Sequence, residues 1–158
     1  MFGFFKKKQQ TMTASVDGKV LPMSEASDEV FSSCALGDGV VIYPTGEVVV
    51  APADGMVSVM MKDSNHAIGL TLEDGTDILI HIGVNTVELK GEGFEALVSV
   101  KDQVKAGTEL IRFDRKMMEE KGYCMEVMQL VMEGENSDKV KYYTGMYAKA
   151  GETVVAQW

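Results

Sequence analysis

The sequence predicts an all-β domain closed as a sandwich or barrel, with little helix. Three observations point there. Turn signals built on Gly recur at short intervals along the chain. The segments between them are short and rich in Val and Ile, as pleated, half-buried strands require. Only one stretch has the spacing of an amphipathic helix. A chain of 158 residues, nearly half hydrophobic, is the size of one ordinary domain with a real core.

The elements follow in order. "GDGVVIYPTGEVVVAPADGMVSVMM" reads as strand, turn, strand, turn, strand. "HAIGLTLEDGTDILIHIG" reads as a hairpin around Asp74-Gly75, because Asp-Gly suits the positive-φ positions of a two-residue turn. "FEALVSV", "TELIRF" and "GETVVAQW" are further strands. In "RFDRKMMEEKGY", Asp114 caps a helix, Met117 and Met118 face inward, and Gly122 ends it. Two phrases each occur twice. "VDGKVLPM" (16–23) echoes "ADGMVSVM" (53–60), and "VKAGTELI" (104–111) echoes "AKAGETVV" (148–155). They read as a duplicated β unit with Gly where the chain turns sharply.

Charge and composition exclude several classes. The net charge is −9 with no basic stripe, so no nucleic-acid binding is expected. A basic protein partner suits such a surface better. Cys34 and Cys124 lack metal or CxxC spacing and read as free thiols in a reducing, cytoplasmic setting. The start, "MFGFFKKKQQ", is far too short for a signal peptide or membrane span. It is expected to be a flexible tail over residues 1–14, ahead of a domain over 15–158. A weak membrane-surface contact through Phe2, Phe4, Phe5 and Lys6 to Lys8 is the functional reading of that tail.

The chain has two histidines, His66 and His81, and both stand in the predicted hairpin. A two-residue loop pairs Glu73 with Thr76 and sets Ile68 opposite His81. His66 shares a face with Ile68, so the histidines become diagonal neighbours with Cβ atoms about 7 Å apart or less. Ser64 lies on the same face. A one-residue slip would separate the rings. Two imidazoles are too few ligands for most metal sites, so no metal is required, though a zinc ion at His66 and His81 could be completed by a partner. No Gly-x-Ser-x-Gly is present for a serine hydrolase. A neutral imidazole can attack phosphorus, and a second can stabilise the transferring charge.

The runs "ILIHIGVNTVELKGEGF", "SNHAIGL", "ALGDGVVIYPTGEVVVAPADG" and "VFSS" resemble the glucose-type IIA component of the bacterial sugar phosphotransferase system. The resemblance covers about residues 15 to 158. It implies a barrel-like sandwich of the duplicated hybrid motif with short helical segments. It implies a phosphoryl carrier: His81 accepts phosphate from the histidine-containing phosphocarrier protein and passes it to a cysteine on the IIB domain of a sugar permease. His66 matches the supporting histidine. Ser64 stands for a usual threonine that hydrogen-bonds it, and the Gly83 region is expected to offer a carbonyl that fixes the His81 tautomer. An apolar docking collar is implied at Val30, Phe31, Leu36, Met61, Leu79 and Val87, with Asp28 meeting basic partner residues. No cofactor is implied.

Departures from the family pattern stand at Asn85, where Asp is usual, and in "MMKDSNH", one residue longer than expected. "GYCMEVMQLVM" lacks the usual Thr-Pro-Val-Val and is expected to be irregular in its own way. The alternative reading is a non-catalytic regulatory module whose partners, transporters or metabolic enzymes, depend on His81 phosphorylation. A biotin- or lipoyl-type carrier would use Lys62 but leaves the histidines without a role. A metallopeptidase of this architecture fails on histidine count. The start at Met1 favours a free subunit, expected to be a monomer, and the sugar is not named by the sequence.

Overall fold

Strands with both faces buried sit at the centre of the molecule, and their sequences show why. The computed structural model describes residues 9–158. The Phe- and Lys-rich start, with its expected membrane contact, lies outside the described residues. The strands are β1 (Thr11–Thr13), β2 (Gly18–Pro22), β3 (Gly39–Pro44), β4 (Val48–Val50), β5 (Gly55–Met60), β6 (Ala67–Leu72), β7 (Asp77–Ile82), β8 (Phe94–Ala96), β9 (Gln103–Val104), β10 (Glu109–Phe113), β11 (Val127–Val131), β12 (Lys141–Tyr142), β13 (Tyr147–Ala148) and β14 (Val154–Gln157). Helices α1 (Glu29–Ser32) and α2 (Arg115–Glu120) are short. The all-β expectation holds.

Eight strands form the main sheet in the order β13-β2-β3-β11-β7-β6-β5-β9. Smaller sheets, β4-β10-β8 and β1-β14-β12, close over it. Ile42, Ile68, Leu70, Ile78, Ile80, Ile82 and Val127 point into the large core. Alternate residues of the central strands, Val41, Leu79, Met128 and Leu130, point the other way. There they join a second, smaller core with Met23, Ala26 and Phe31. Burial on both faces is why β3, β7 and β11 read as nearly unbroken apolar runs.

The repeated phrases occupy equivalent places. Gly18 of β2 pairs with Ala148 of β13 at one edge, and Gly55 of β5 pairs with Val104 of β9 at the other. In both copies the Asp of the Asp-Gly phrase accepts from the Ala of the Lys-Ala-Gly phrase. Ala150 N donates to Asp17 Oδ1 at 2.7 Å, and Ala106 N donates to Asp54 Oδ1 at 2.8 Å.

Three expectations are corrected. The domain begins earlier than residue 15: β1 pairs with β14, and Met12 is fully buried. Gln129 ties it in, accepting from Ser15 N and donating to Thr13 O. The strand in "GYCMEVMQLVM" is regular, with Val127–Val131 pairing residue for residue with β7. A second helix, α1, exists besides α2, capped by Asp28, whose side chain accepts from Val30 N. Helix α2 is as expected, with Asp114 accepting from Met117 N, Met118 fully buried and Gly122 at φ 90°.

Candidate active site

His81 lies on β7, opposite Ala67 of β6 and Met128 of β11. The predicted register is off by one: Ile68 faces Ile80, not His81. The hairpin loop has three residues, Glu73 to Gly75, with Gly75 at φ 87° and Leu72 closing onto Thr76. A type I turn followed by a left-handed Gly is the common three-residue alternative.

The two histidines nevertheless meet. Their ring centroids are 4.8 Å apart and the planes nearly perpendicular, at 84°. His66 stands one residue before β6, just after Asn65 in the left-handed region at φ 50°. There the strict alternation of the strand has not begun. The ladder continues only through the His66 carbonyl, which accepts from Ile82 N at 2.8 Å. Strand alternation alone would have put the rings on opposite faces.

Each ring has a distinct environment. His66 is 4% exposed, and its Nδ1 lies 2.8 Å from Ser64 Oγ. Burial lowers its pKa from the ordinary value. The His81 ring is part-exposed, but its Nδ1 is buried with no hydrogen-bond partner of regular geometry. Burial first, and then His66 beside it, lower the His81 pKa to about 4. The Gly83 backbone and Asp28 oppose this by favouring the protonated ring. Both imidazoles are therefore neutral near pH 7.

Local sequence explains the turn after His81. Gly83 has φ 78°, and a Cβ there would collide with Thr86 and Met125. Asn85 is exposed at φ 60°, a backbone that Asn tolerates better than most residues. Thr86 then ties the turn back by donating to Ile82 O.

The expected collar divides. The Phe31 ring packs directly on His81, with centroids 4.9 Å apart and planes at 52°, and is itself buried. Leu79 is half-buried against the second core. Val30, Leu36, Met61 and Val87 are exposed, Val30 and Val87 by about half. Met61 also closes the loop before His66, accepting from Asn65 N at 2.7 Å. Asp28 is half-buried at the start of α1.

Sequence reasoning missed Ser27 and Glu126. Glu126 is buried and accepts from both the Ser27 amide and hydroxyl. The signal was a lone acid inside "CMEVMQLV", since a buried charge demands a partner. Among the described residues, no group of three or more His, Cys, Asp or Glu is placed to hold a metal. Cys34 and Cys124 are free.

Known proteins resemble this chain in sequence and in fold. Residues 10–137 match the family described as phosphoenolpyruvate-dependent sugar phosphotransferase system, EIIA 1. A glucose-specific EIIA component of Bacillus cereus is 40% identical over 156 residues, covering 98% of this chain and 94% of that one. A glucose-specific EIIBCA component of Corynebacterium glutamicum is 40% identical over 91% of this chain, which spans 21% of that longer protein. The solved structure of a glucose permease IIA from Mycoplasma capricolum superposes with a TM-score of 0.88 at 32% identity and covers 99% of both chains.

Proposed function

The chain belongs to the EIIA 1 family of the phosphoenolpyruvate-dependent sugar phosphotransferase system, and on that footing we propose that its phosphoryl group is carried on His81. As a member it is a phosphotransferase component and phosphoryl carrier of sugar uptake. Its kinship with the EIIBCA chain implies work with a IIB unit. The histidine intermediate, the donor and the roles of single residues are our reading.

The observation that carries it is the paired, neutral rings. A neutral imidazole with its proton on Nδ1 leaves the Nε2 lone pair free. Nδ1 of His81 is the buried nitrogen, so Nε2 is the one to attack. It bonds to phosphorus as the bond from phosphorus to the histidine of the phosphocarrier protein breaks. The ring then holds a proton on Nδ1 and a phosphoryl on Nε2, and becomes cationic. The Gly83 backbone, which favours the protonated ring, suits that product.

His66 is the supporting group. With Ser64 donating into Nδ1, His66 keeps its proton on Nε2 as a neutral donor to a phosphoryl oxygen. In the return step an IIB cysteine sulfur attacks phosphorus, the bond to Nε2 breaks, and His81 leaves as a neutral imidazole. The exposed apolar residues Val30, Leu36, Met61 and Val87 border the elements holding the rings. They offer a surface that a partner would cover, excluding water from a labile N–P bond. Asp28 and the net charge of −9 favour a basic partner.

The relatives above carry glucose in their names, and we assign the choice of sugar to the permease. The regulatory reading shares this face: phosphorylation would place a dianion among those apolar residues and change what docks there. Intact mass after incubation with phosphoenolpyruvate, enzyme I and the phosphocarrier protein tests the assignment. Wild type should gain one phosphoryl group and His81→Ala none. A phosphoryl group retained by His81→Ala would refute it.

A further inference from the structure

Two hydrogen bonds join segments 99 residues apart beside His81. Glu126 precedes β11 and is only 4% exposed. A carboxylate buried to that degree needs partners for both oxygens. Ser27 supplies them: its amide donates to Oε2 at 2.9 Å and its hydroxyl to Oε1 at 2.5 Å. The Tyr43 phenol is pushed up by burial and then by the Glu126 and Cys124 charges near it.

The Glu126 backbone reaches the other side of the site. Its carbonyl accepts from Gly83 N at 2.7 Å, two residues beyond His81. On the first side, Ser27 leads into Asp28, the cap of α1, and α1 seats Phe31 on the His81 ring. One residue thus grips both segments that bracket the reactive imidazole.

We propose that Glu126 is a positioning residue, whose carboxylate acts through Ser27 to fix the entry of α1 and hold Phe31 and Asp28 against His81 for phosphoryl transfer. It touches neither phosphorus nor the attacking nitrogen. The proposal rests on His81 as acceptor. Glu126→Gln keeps the shape and opens no cavity, but it turns one acceptor into an NH2 that faces a Ser27 donor. The entry of α1 loosens, and Phe31 drifts from the ring.

The test reads geometry and transfer separately. An aromatic ring packed against His81 shifts that histidine's ring-proton resonances, and Phe31→Leu calibrates the effect. In Glu126→Gln, the His81 ring signals should move toward those of Phe31→Leu while His66 stays in place. Transfer from the phosphocarrier should slow on the order of tenfold, since small misplacements at a reacting centre are costly. Ser27→Ala, which loses only the hydroxyl bond, should give the same signature at smaller amplitude and covers the case of a poorly folded Glu126→Gln. Unmoved His81 signals in a folded Glu126→Gln would overturn the proposal. Wild-type protein that takes no phosphoryl group would refute the acceptor assignment instead, and the ring shifts would still decide the clamp.

Discussion

The attack on phosphorus proposed for His81 requires a neutral ring, and burial keeps the ring so. Its pKa of about 4 means that phosphate acceptance should stay level from near pH 8 down to about pH 5 and fall as pH drops through about 4. A rate profile centred near the ordinary histidine value of 6.5 would contradict this. Stability follows the same linkage. The folded pKa lies below the unfolded one, so unfolding takes up a proton between them. The stability is complete above 6.5 and is lost as pH falls toward about 4. Urea midpoints should therefore fall more across this window for wild type than for His81→Gln. Asp74 titrates in a lower window. Burial raises its pKa, but hydrogen bonds from Thr76 and Trp158 outweigh that and leave it below its ordinary 3.8. His66→Gln should still accept phosphate but pass it to a IIB cysteine roughly 100-fold more slowly, because a transition-state donor is lost. Equal onward rates in rapid-mixing assays would remove His66 from the mechanism. His66 and His81 were legible in the sequence as a pair; the neutral charge state was not, because it depends on burial under Phe31.

At the scale of elements, the hairpin was legible and its register was not. Asp-Gly fits a two-residue turn and equally fits the end of a three-residue loop. The loop adopted has Asp74 Oδ1 accepting from Thr76 N, while Trp158 Nε1 and Asn136 donate to Asp74 Oδ2. Both outside donors come from distant parts of the chain, which no local pattern shows. Gly75→Ala should cost about 1 kcal/mol by backbone strain alone, since a Cβ there meets nothing within 4 Å. Chemical denaturation measures it, and phosphate acceptance should be unchanged. An unaltered stability would place the strain elsewhere. Helix α1 was missed because four residues carry almost no periodicity. The Asp28 cap was its one local sign.

Duplication is the organising feature of the whole molecule. The main sheet runs β13-β2-β3-β11 and then β7-β6-β5-β9, so each repeat contributes an edge built from the same two phrases. The Asp17 and Asp54 bonds close opposite edges. Asp17→Ala and Asp54→Ala should each cost about 1 kcal/mol, and the double variant should lose their sum, as distant sites do. A clear departure from additivity in urea unfolding would mean that the two edges communicate. The candidate site draws on both halves of this scaffold. His81 and His66 belong to the β6–β7 hairpin, and α1, on the face of the other strands, supplies Phe31.

The sequence by itself determined the β architecture, the repeated units and the pairing of the two histidines, because strand patterning, Gly turns and scarce residue types are local signals. Tertiary structure decided the rest. It set the hairpin register through Trp158 and Asn136, brought His66 to His81 through a left-handed residue at the strand's start, and made β1 part of the fold through Gln129. It also gave the buried Glu126 its partner in Ser27. Each of these depends on a contact between segments far apart in the chain, where burial raises the cost of an unpaired polar group enough to choose the conformation.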